Sequence, residues 1–490
     1  MKLYFVCLFC LFSLSACYTP DETVIRFGLS AMPITLDPRF ATDAASVRIN
    51  RLLYRGLTDF NDNFEPIPDL AQWQQLDNTH YLFTLNKDGR SFHNGNYLTA
   101  YDVKATYDFV LDEKNASPHR SGLEMIDNIQ VLDDNRIEFS LNKIDPLFVG
   151  RLGIGIVSAQ YSDQHIINKS PIGSGNFKLV DWSTPSRLLI QRLQDQQPIE
   201  FLEIKDMTVR VLKLLRHELD IVQNDLSPEI ISWLNQRPEV KISKAKGSNF
   251  SYIGFQLQDP ITSQLVIRQA IAYALNRQEI IQYVMGDAAQ LASAFFPPTH
   301  WVGNPDLPSY TYQPEKARQL IQQAQLSQPI HLIYKTSNNP FRVRLATVIQ
   351  QQLKDVGIEV DLRSYDWGTF YGDIKTGNFQ MYTLAWVGIK MPDIFRYAFH
   401  STAIPPVGAN RGRVNDPVID QLIEQAEASP SLDEQQKLYR QLQAYLFEQL
   451  PYIPLWYEDN ILVTHQRIEG YQLATDGNYD GLKRVKIRAP

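Results

Sequence analysis

The strongest constraint on the fold is an alternation of strand and helix patterns in the second half of the chain. Apolar segments with strand character, "IHLIYKTSN", "IEVDLRSYDW" and "FQMYTLAWVG", alternate with helical patterns such as "FRVRLATVIQQQLKDVG". Strands that are separated by helices need crossover connections, which make the strands parallel in one sheet. The sequence therefore predicts an α/β fold.

The length of the chain predicts several domains with clefts between them. At roughly 100 to 200 residues per domain, 490 residues correspond to about two to four domains. The net charge of −7 is spread along the chain without a basic block. We therefore expect no binding to nucleic acid.

The N-terminus has the layout of a secretory signal peptide. "MKLYFVCLFCLFSLSAC" gives a positive residue, an apolar run and a small-residue site, which predicts a signal peptide over residues 1–17. The end, "LSAC", resembles a bacterial lipobox and predicts lipidation of Cys17; a plain signal peptide with a coincidental cysteine is the alternative. Since Cys7, Cys10 and Cys17 are the three cysteines of the chain, removal of this segment excludes a disulfide or a Cys-based metal site.

The segment "FHNGNYLTAYDVKATYDF" holds residue types that also build active sites. Thr99 stands where a helix N-cap is expected and Asp102 follows three residues later, a variant of the capping box. A catalytic cluster would need His93, Asp102 and Lys104 to converge, although Asp102 is already used as a cap. We therefore expect a framework element, preceded by a hairpin at the Lys-Asp-Gly turn of "HYLFTLNKDGRSFHNG".

Six stretches in order resemble the family 5 extracellular solute-binding proteins, the dipeptide and oligopeptide receptors of ABC importers. The framework segment is similar to the family signature at Phe92, His93, Gly95, Leu98, Thr99, Ala100, Asp102 and Val103. The others are "EPIPDLA", "PIGSGNFKL", "FSYIGFQ", "VIRQAIAYALNRQEII" and "YTYQPEKARQLI". The resemblance covers the chain from about residue 24 to its end.

The resemblance implies an α/β, type II periplasmic-binding-protein fold with three lobes. Lobe I would combine residues 18–46, 165–254 and 461–490; lobe II would span residues 47–164 and carry the signature; lobe III would span residues 255–460. Ligand would be enclosed between lobes I and III by hinge closure.

The resemblance also implies a function without chemistry or cofactor. The chain would be an exported, periplasmic, lipid-anchored monomer that delivers a peptide or peptide-like solute to an ABC permease and ATPase complex. A non-peptide ligand (a metal chelate, a sugar or an opine-like solute) and a role as a solute sensor stay open. An exported hydrolase is disfavoured, because the sequence shows neither paired carboxylates nor a nucleophile motif.

The ligand contacts that the resemblance implies centre on "LAWVGIKMPDIF". Trp386 and Gly388 fit the peptide receptors, but the acid that pairs with the peptide α-ammonium group is replaced here by Ile389, and Lys390 follows. Asp393 either takes the role of that acid or belongs to the next turn. Lys390 is either a solvated lysine or a cation that replaces the usual anion.

Two further cations and two aromatic residues complete the predicted site. Lys335 lies near the position at which dipeptide receptors place an arginine for the ligand carboxylate, and Arg411 either faces the cleft or forms a salt bridge between lobes. Phe250 and Tyr252 are expected to wall the pocket with Trp386, whereas Trp367 is expected in the core. The nine histidines lack paired ligand spacing, so no metal site is expected.

Overall fold

The structure, a computed structural model, describes residues 22–161, 167, 170–324 and 326–488. The predicted signal peptide and Cys17 lie outside the described residues. Among the described helices, none combines the length and the apolar character needed to cross a membrane.

The chain forms strands and helices in close succession. The strands are β1 (Ile25–Leu29), β2 (Thr58–Phe60), β3 (Pro66–Pro68), β4 (Ala71–Gln75), β5 (His80–Leu85), β6 (Ile126–Asp133), β7 (Arg136–Leu141), β8 (Phe177–Thr184), β9 (Arg187–Arg192), β10 (Pro198–Glu203), β11 (Ile221–Gln223), β12 (Val240–Phe255), β13 (Ala289–Leu291), β14 (Ile330–Ser337), β15 (Ile358–Tyr365), β16 (Met381–Trp386), β17 (Tyr452–His465), β18 (Ile468–Glu469) and β19 (Lys486–Ile487). The helices are α1 (Ala44–Leu53), α2 (Ala100–Leu111), α3 (Met207–Leu215), α4 (Pro228–Leu234), α5 (Leu265–Ala274), α6 (Arg277–Glu279, continued by a π turn at Ile280–Val284), α7 (Pro314–Gln323), α8 (Pro340–Lys354), α9 (Trp367–Thr376), α10 (Ile394–Phe399), α11 (Pro417–Ala428) and α12 (Leu432–Gln449).

A large mixed sheet organises the molecule. Its order is β15-β14-β16-β12-β17-β11-β1-β10-β9-β8, with β13 paired to β17. β14 runs parallel to β15 and β16, and β1 runs parallel to β10 and β11. α8 connects β14 to β15 and α9 connects β15 to β16. The predicted α/β pattern with crossover helices is confirmed.

The long strands β12 and β17 join the two halves of the large sheet. Residues 240–245 of β12 pair with 460–465 of β17 beside β11, whereas residues 249–254 pair with 452–458 beside β16. The register shifts between Ala245 and Asn249. At Gly247 the two backbones come so close that an added Cβ would lie 2.0 Å from the Glu458 carbonyl oxygen. Glycine is therefore required at this crossing point.

The signature segment packs on a separate sheet with the order β4-β5-β7-β6. The Asp102 carboxylate accepts hydrogen bonds from the backbone N–H of Thr99 at 2.8 Å and of Ala159 at 2.9 Å, and α2 begins with a capping box. The predicted framework role is confirmed. The predicted hairpin is wrong: β5 pairs with β4 on one edge and with β7 on the other, and not with the segment that follows Gly89.

His93 connects the signature segment to the glycine-rich loop of the motif "PIGSGNFKL". The Gly173 N–H donates to His93 Nδ1 at 3.3 Å, and His93 Nε2 lies 3.1 Å from the Gly175 carbonyl oxygen. Both bonds fit the neutral tautomer that carries its proton on Nε2, and burial lowers the pKa of His93. His93 thus holds two segments of the framework together by hydrogen bonds.

The expected lobe boundaries fall inside regular elements. The boundary between residues 46 and 47 lies within α1, whose Ile49, Leu52 and Leu53 pack in the same core as β1. The boundaries at 254/255 and 460/461 lie within β12 and β17, and the one at 164/165 lies outside the described residues. The division into three lobes stays a proposal.

Candidate ligand-binding site

The predicted site residues gather where three neighbouring strands end. β14, β16 and β15 end at Ser337, Trp386 and Tyr365 on the same edge, because the three strands are parallel. Ligands of open α/β sheets bind in the crevice at this carboxyl edge. Lys335, Trp386 and the loop that follows Trp386 all lie there.

Trp386 lies against a stack of aromatic side chains. It pairs with Phe250 across β12 and β16, and Tyr252, two residues further along β12, points to the same face of the sheet. Trp386 is 9% exposed, whereas Phe250 and Tyr252 are fully buried. The structure thus brings the three predicted aromatic residues together, with Phe250 and Tyr252 behind Trp386 as its support.

Arg411 lies in the same aromatic cluster. Its Nη1 donates to the Tyr252 hydroxyl at 2.9 Å and its Nη2 to the Tyr371 hydroxyl at 3.3 Å. The guanidinium carbon lies 4.5 Å from the centre of the Trp386 ring. Within the described part of the chain, no carboxylate forms an ion pair with Arg411, so the expected alternative of an inter-lobe salt bridge does not occur there.

Lys335 is held by a partner on α9. Its ammonium lies 2.7 Å from Asp373 Oδ2, and the residue is 4% exposed. The hydrogen bond from Lys335 lowers the pKa of Asp373. Lys335 therefore acts inside its own half of the molecule, where it ties β14 to α9.

Lys390 bridges to the C-terminal segment of the chain. Its ammonium lies 2.8 Å from Asp476 Oδ2 and 5.4 Å from the centre of the Phe60 ring. Burial alone would raise the pKa of Asp476, but the Lys390 ammonium outweighs this effect and lowers that pKa to about 2. The pair lines a polar cavity with about 280 Å³ of empty space, whose other walls include Asn61, Asp62 and Asn478.

Asp393 and Gly388 flank this bridge. Asp393 Oδ2 lies 2.7 Å from Arg151 Nη1, and Arg151 also bonds to Asp145. The carboxylate of Asp393 is thus already engaged by a residue of the segment before β8. Gly388 is exposed and has φ +70°, the left-handed region that favours glycine.

Trp367 corrects the expectation of a core residue. The side chain is 58% exposed and lies flat on Tyr371, with ring centres 5.4 Å apart and planes at 7°. Because the two residues are four apart in the first turns of α9, their side chains share one helix face. That spacing was the sequence signal for this pair, which we call the aromatic ledge. Tyr371 links the ledge to Arg411.

A partly exposed ion pair at the crossing of β12 and β17 was not predicted from the sequence. Glu458 accepts hydrogen bonds from Ser251 and from Arg342 Nη1, each at 2.6 Å. Burial acts to raise the pKa of Glu458, but the charge of Arg342 outweighs it and lowers that pKa. No local pattern connects these residues, which are more than 100 positions apart in the chain.

The arrangement supplies groups that are suited to the recognition of a solute. Among the described residues, no group of three or more His, Cys, Asp or Glu side chains is placed to hold a metal ion. The site combines a flat aromatic surface, a buried guanidinium and two lysines that are already paired. Such groups bind solutes by stacking and hydrogen bonding.

Comparison with known proteins decides the family. The model of the bacterial extracellular solute-binding proteins, family 5, matches residues 65–404. The chain belongs to this family. Like its other members it is a solute-binding protein of the extracellular or periplasmic space and not an enzyme.

Relatives of this family-5 protein match nearly its whole length. A dipeptide-binding protein of Escherichia coli is 27% identical over 475 residues, which cover 88% of this chain and 87% of that protein. Heme-binding protein A of Haemophilus influenzae is 26% identical over 502 residues, with coverages of 93% and 90%. The ABC transporter-associated periplasmic binding protein DppA of Helicobacter pylori, solved with the peptide STSA, superposes with a TM-score of 0.82 at 25% identity and coverages of 95% and 98%. The expected type II periplasmic-binding-protein fold is confirmed.

The bridge between Lys390 and Asp476 is open to a direct test. In Lys390→Met we expect the free energy of unfolding at pH 7 to fall by about 2 kcal/mol, because one pKa unit corresponds to ~1.4 kcal/mol and the Asp476 pKa is lowered from 3.8 to about 2. A carboxylate with a lowered pKa stabilises the folded state above pH 3.8. The deficit of the variant should therefore shrink as the pH falls from 3.8 through about 2. Chemical denaturation measures both effects.

Two further variants serve as controls for this test. Lys437→Met changes an exposed lysine and should stay within ~0.5 kcal/mol of the wild type. Lys390→Met combined with Asp476→Asn should recover part of the loss, because it leaves no unpaired buried charge. Equal stability of wild type and Lys390→Met would show that the bridge contributes nothing.

Proposed function

We propose that this family-5 protein is the substrate-binding component of an ABC importer and captures a peptide or peptide-like solute. The observation that carries the proposal is the match to the dipeptide-binding protein over 88% of the chain. The superposition on a binding protein solved with a peptide, over 95% of the chain, supports it.

The proposed mechanism is closure of lobe III on lobe I about β12 and β17. In the described chain these two strands are the ones that run from one half of the large sheet into the other, so a small change of twist near Gly247 would move the halves as rigid bodies. Closure would exclude water from the crevice and thereby strengthen the polar contacts to the ligand.

The proposed ligand contacts lie at the carboxyl edge of β14, β15 and β16. Trp386 supplies a flat apolar wall and Gly388 an exposed backbone, and we retain Arg411 as a contact of the ligand. Lys335, Lys390 and Asp393 are engaged with Asp373, Asp476 and Arg151, respectively. For these three residues we propose an indirect role, in which they position the loops around the ligand.

The proposed location is the periplasm, with the protein held by a lipid anchor on a membrane of the cell envelope. Cys17 would carry the lipid anchor, and ligand would pass to a permease with its ATPases. The basis is the sequence "LSAC" at the end of an apolar segment, because acyl chains contribute ~0.8 kcal/mol per buried CH₂.

Two observations favour a second candidate, a receptor for a non-peptide solute. Ile389 stands where the peptide receptors place the acid for the α-ammonium group. A relative that matches 93% of the chain is a heme-binding protein. Under this second function the protein would capture a chelate in the same crevice.

Peptide capture is tested with a pool of random tri- to pentapeptides and native mass spectrometry of the ligand-free protein. We expect retention by the wild type and a loss of at least about tenfold in Trp386→Ala, because truncation of a central aromatic contact costs ~2 kcal/mol or more. Trp233→Ala, on the exposed face of α4, is the matched control and should bind as the wild type does. Undiminished binding by Trp386→Ala would show that this residue does not contact the ligand. If the wild type bound no peptide of the pool, the second candidate would be favoured.

Lipidation of Cys17 is tested separately. In a bacterial host, the mature protein should carry the mass of a diacylglyceryl group on its first residue and sediment with membranes. Cys17→Ser should lack this mass and stay in the soluble fraction, because the hydrophobic anchor is missing. An unmodified Cys17 in a membrane-free wild type would contradict the proposed anchor.

A further inference from the structure

The three cations that the sequence places near the ligand differ in how their charges are balanced. Lys335 lies 2.7 Å from Asp373 and Lys390 lies 2.8 Å from Asp476. Arg411 is 7% exposed and has no carboxylate partner in the described part of the chain. Of the three cations, Arg411 is therefore the one without a counter-charge among the described residues.

The neighbours of Arg411 do not supply a negative charge of their own. Burial raises the pKa of Tyr382 and of Tyr452 well above the ordinary value, so these hydroxyls stay neutral around the guanidinium. An arginine keeps its proton in a folded protein. A buried cation without an anion is costly unless a partner arrives.

Other buried arginines of the same lobe are satisfied differently. Arg277 donates to the carbonyl oxygens of Ala292, Pro454 and Tyr310, and Arg268 donates to those of Thr262, Ser263 and Gln449. Arg411 donates to two tyrosine hydroxyls, and its buried Nε has no hydrogen-bond partner among the described residues. The hydrogen-bonding capacity of Arg411 is thus left incomplete among the described residues.

The position of Arg411 puts this unmatched charge at the crevice. The guanidinium lies over Trp386, at the end of β16, and bonds to Tyr371 of the aromatic ledge. Trp367, the other ring of the ledge, is mostly exposed. A ligand that lies on the ledge and on Trp386 would place its polar groups within reach of Arg411.

We propose that Arg411 receives a carboxylate of the bound peptide, and that no acid among the described residues pairs with the peptide amine. This inference rests on the proposed function. The carboxylate would accept hydrogen bonds from the guanidinium beside the Tyr371 hydroxyl, in the geometry that suits arginine and carboxylate. Because Ile389 offers no charge to the ligand, a peptide with a blocked amine would bind as well as a free one.

The test uses pools of random tri- to pentapeptides without charged side chains, prepared in end-group variants. Four pools combine a free or acetylated amine with a free or amidated carboxyl end. A fifth pool is acetylated and amidated but carries one Asp. This pool shows whether the protein recognises a side-chain carboxylate or only a terminal carboxylate. Retention is measured by native mass spectrometry on the ligand-free full chain.

The wild type should retain both acid pools at least about tenfold better than the matching amide pools. The binding free energy of a charge-assisted hydrogen bond corresponds to about this factor. Acetylation should change retention by less than about threefold. Retention of the fifth pool at the level of the acids would assign the recognised carboxylate to a side chain. Refusal of all five pools would overturn both this inference and peptide capture, whereas equal retention of acids and amides would overturn this inference alone.

Variants at Arg411 show whether this residue carries the preference. Arg411→Met should bring the ratio of acid to amide retention close to one, and Arg411→Lys should restore part of it. The matched control is Arg413→Met in the same loop, since Arg413 donates to the carbonyl oxygens of Asn410 and Lys375; it should keep the wild-type ratio. The ratio compares ligands on the same protein, so a general loss of stability would not change it. A wild-type ratio in Arg411→Met would overturn the assignment.

Discussion

The pairing of β12 with β17 is the contact on which the rest of the molecule depends. These strands carry the backbone hydrogen bonds that join the β14–β16 side of the large sheet to the β1–β11 side. At Gly247 and Glu458 the register shifts, and the backbones approach too closely for any side chain at residue 247. A partly exposed ion pair between Glu458 and Arg342 lies at the same point. The crossing thus joins the two halves of the sheet and is also the place where the ladder is interrupted.

Most charged side chains near the crevice form ion pairs with other residues of the protein. Lys335, Lys390 and Asp393 each meet a partner of opposite charge, and the partners of Lys390 and Asp393 come from distant parts of the chain. Paired groups of this kind fix the loops and lower the cost of burying the ions. In the proposed site, recognition falls to the groups that are left, namely the aromatic surface of Trp386 and the ledge, and the guanidinium of Arg411.

The fold was predictable because its signals are local. The helical and strand periods between residues 330 and 388 predict crossover connections, and the spacing of Thr99 and Asp102 predicts the helix cap, which the structure confirms. The site was less predictable, because its contacts are not local. Asp393 pairs with Arg151 across 242 positions, and no pattern around either residue indicates this. Trp367 was misplaced because its hydrophobicity suggested burial, whereas its position after a parallel strand puts it at the rim of the crevice.

The most direct test of the central claim, that this family-5 protein holds a peptide or peptide-like solute in its closed crevice, is mass spectrometry of protein from its native host. The purified protein is measured intact under native conditions and again after denaturation, so that the released small molecule is identified by its own mass and fragments. We expect short peptides with a free carboxylate, whether or not their amino ends are blocked. A stoichiometric metal chelate or sugar in place of peptides would contradict the account.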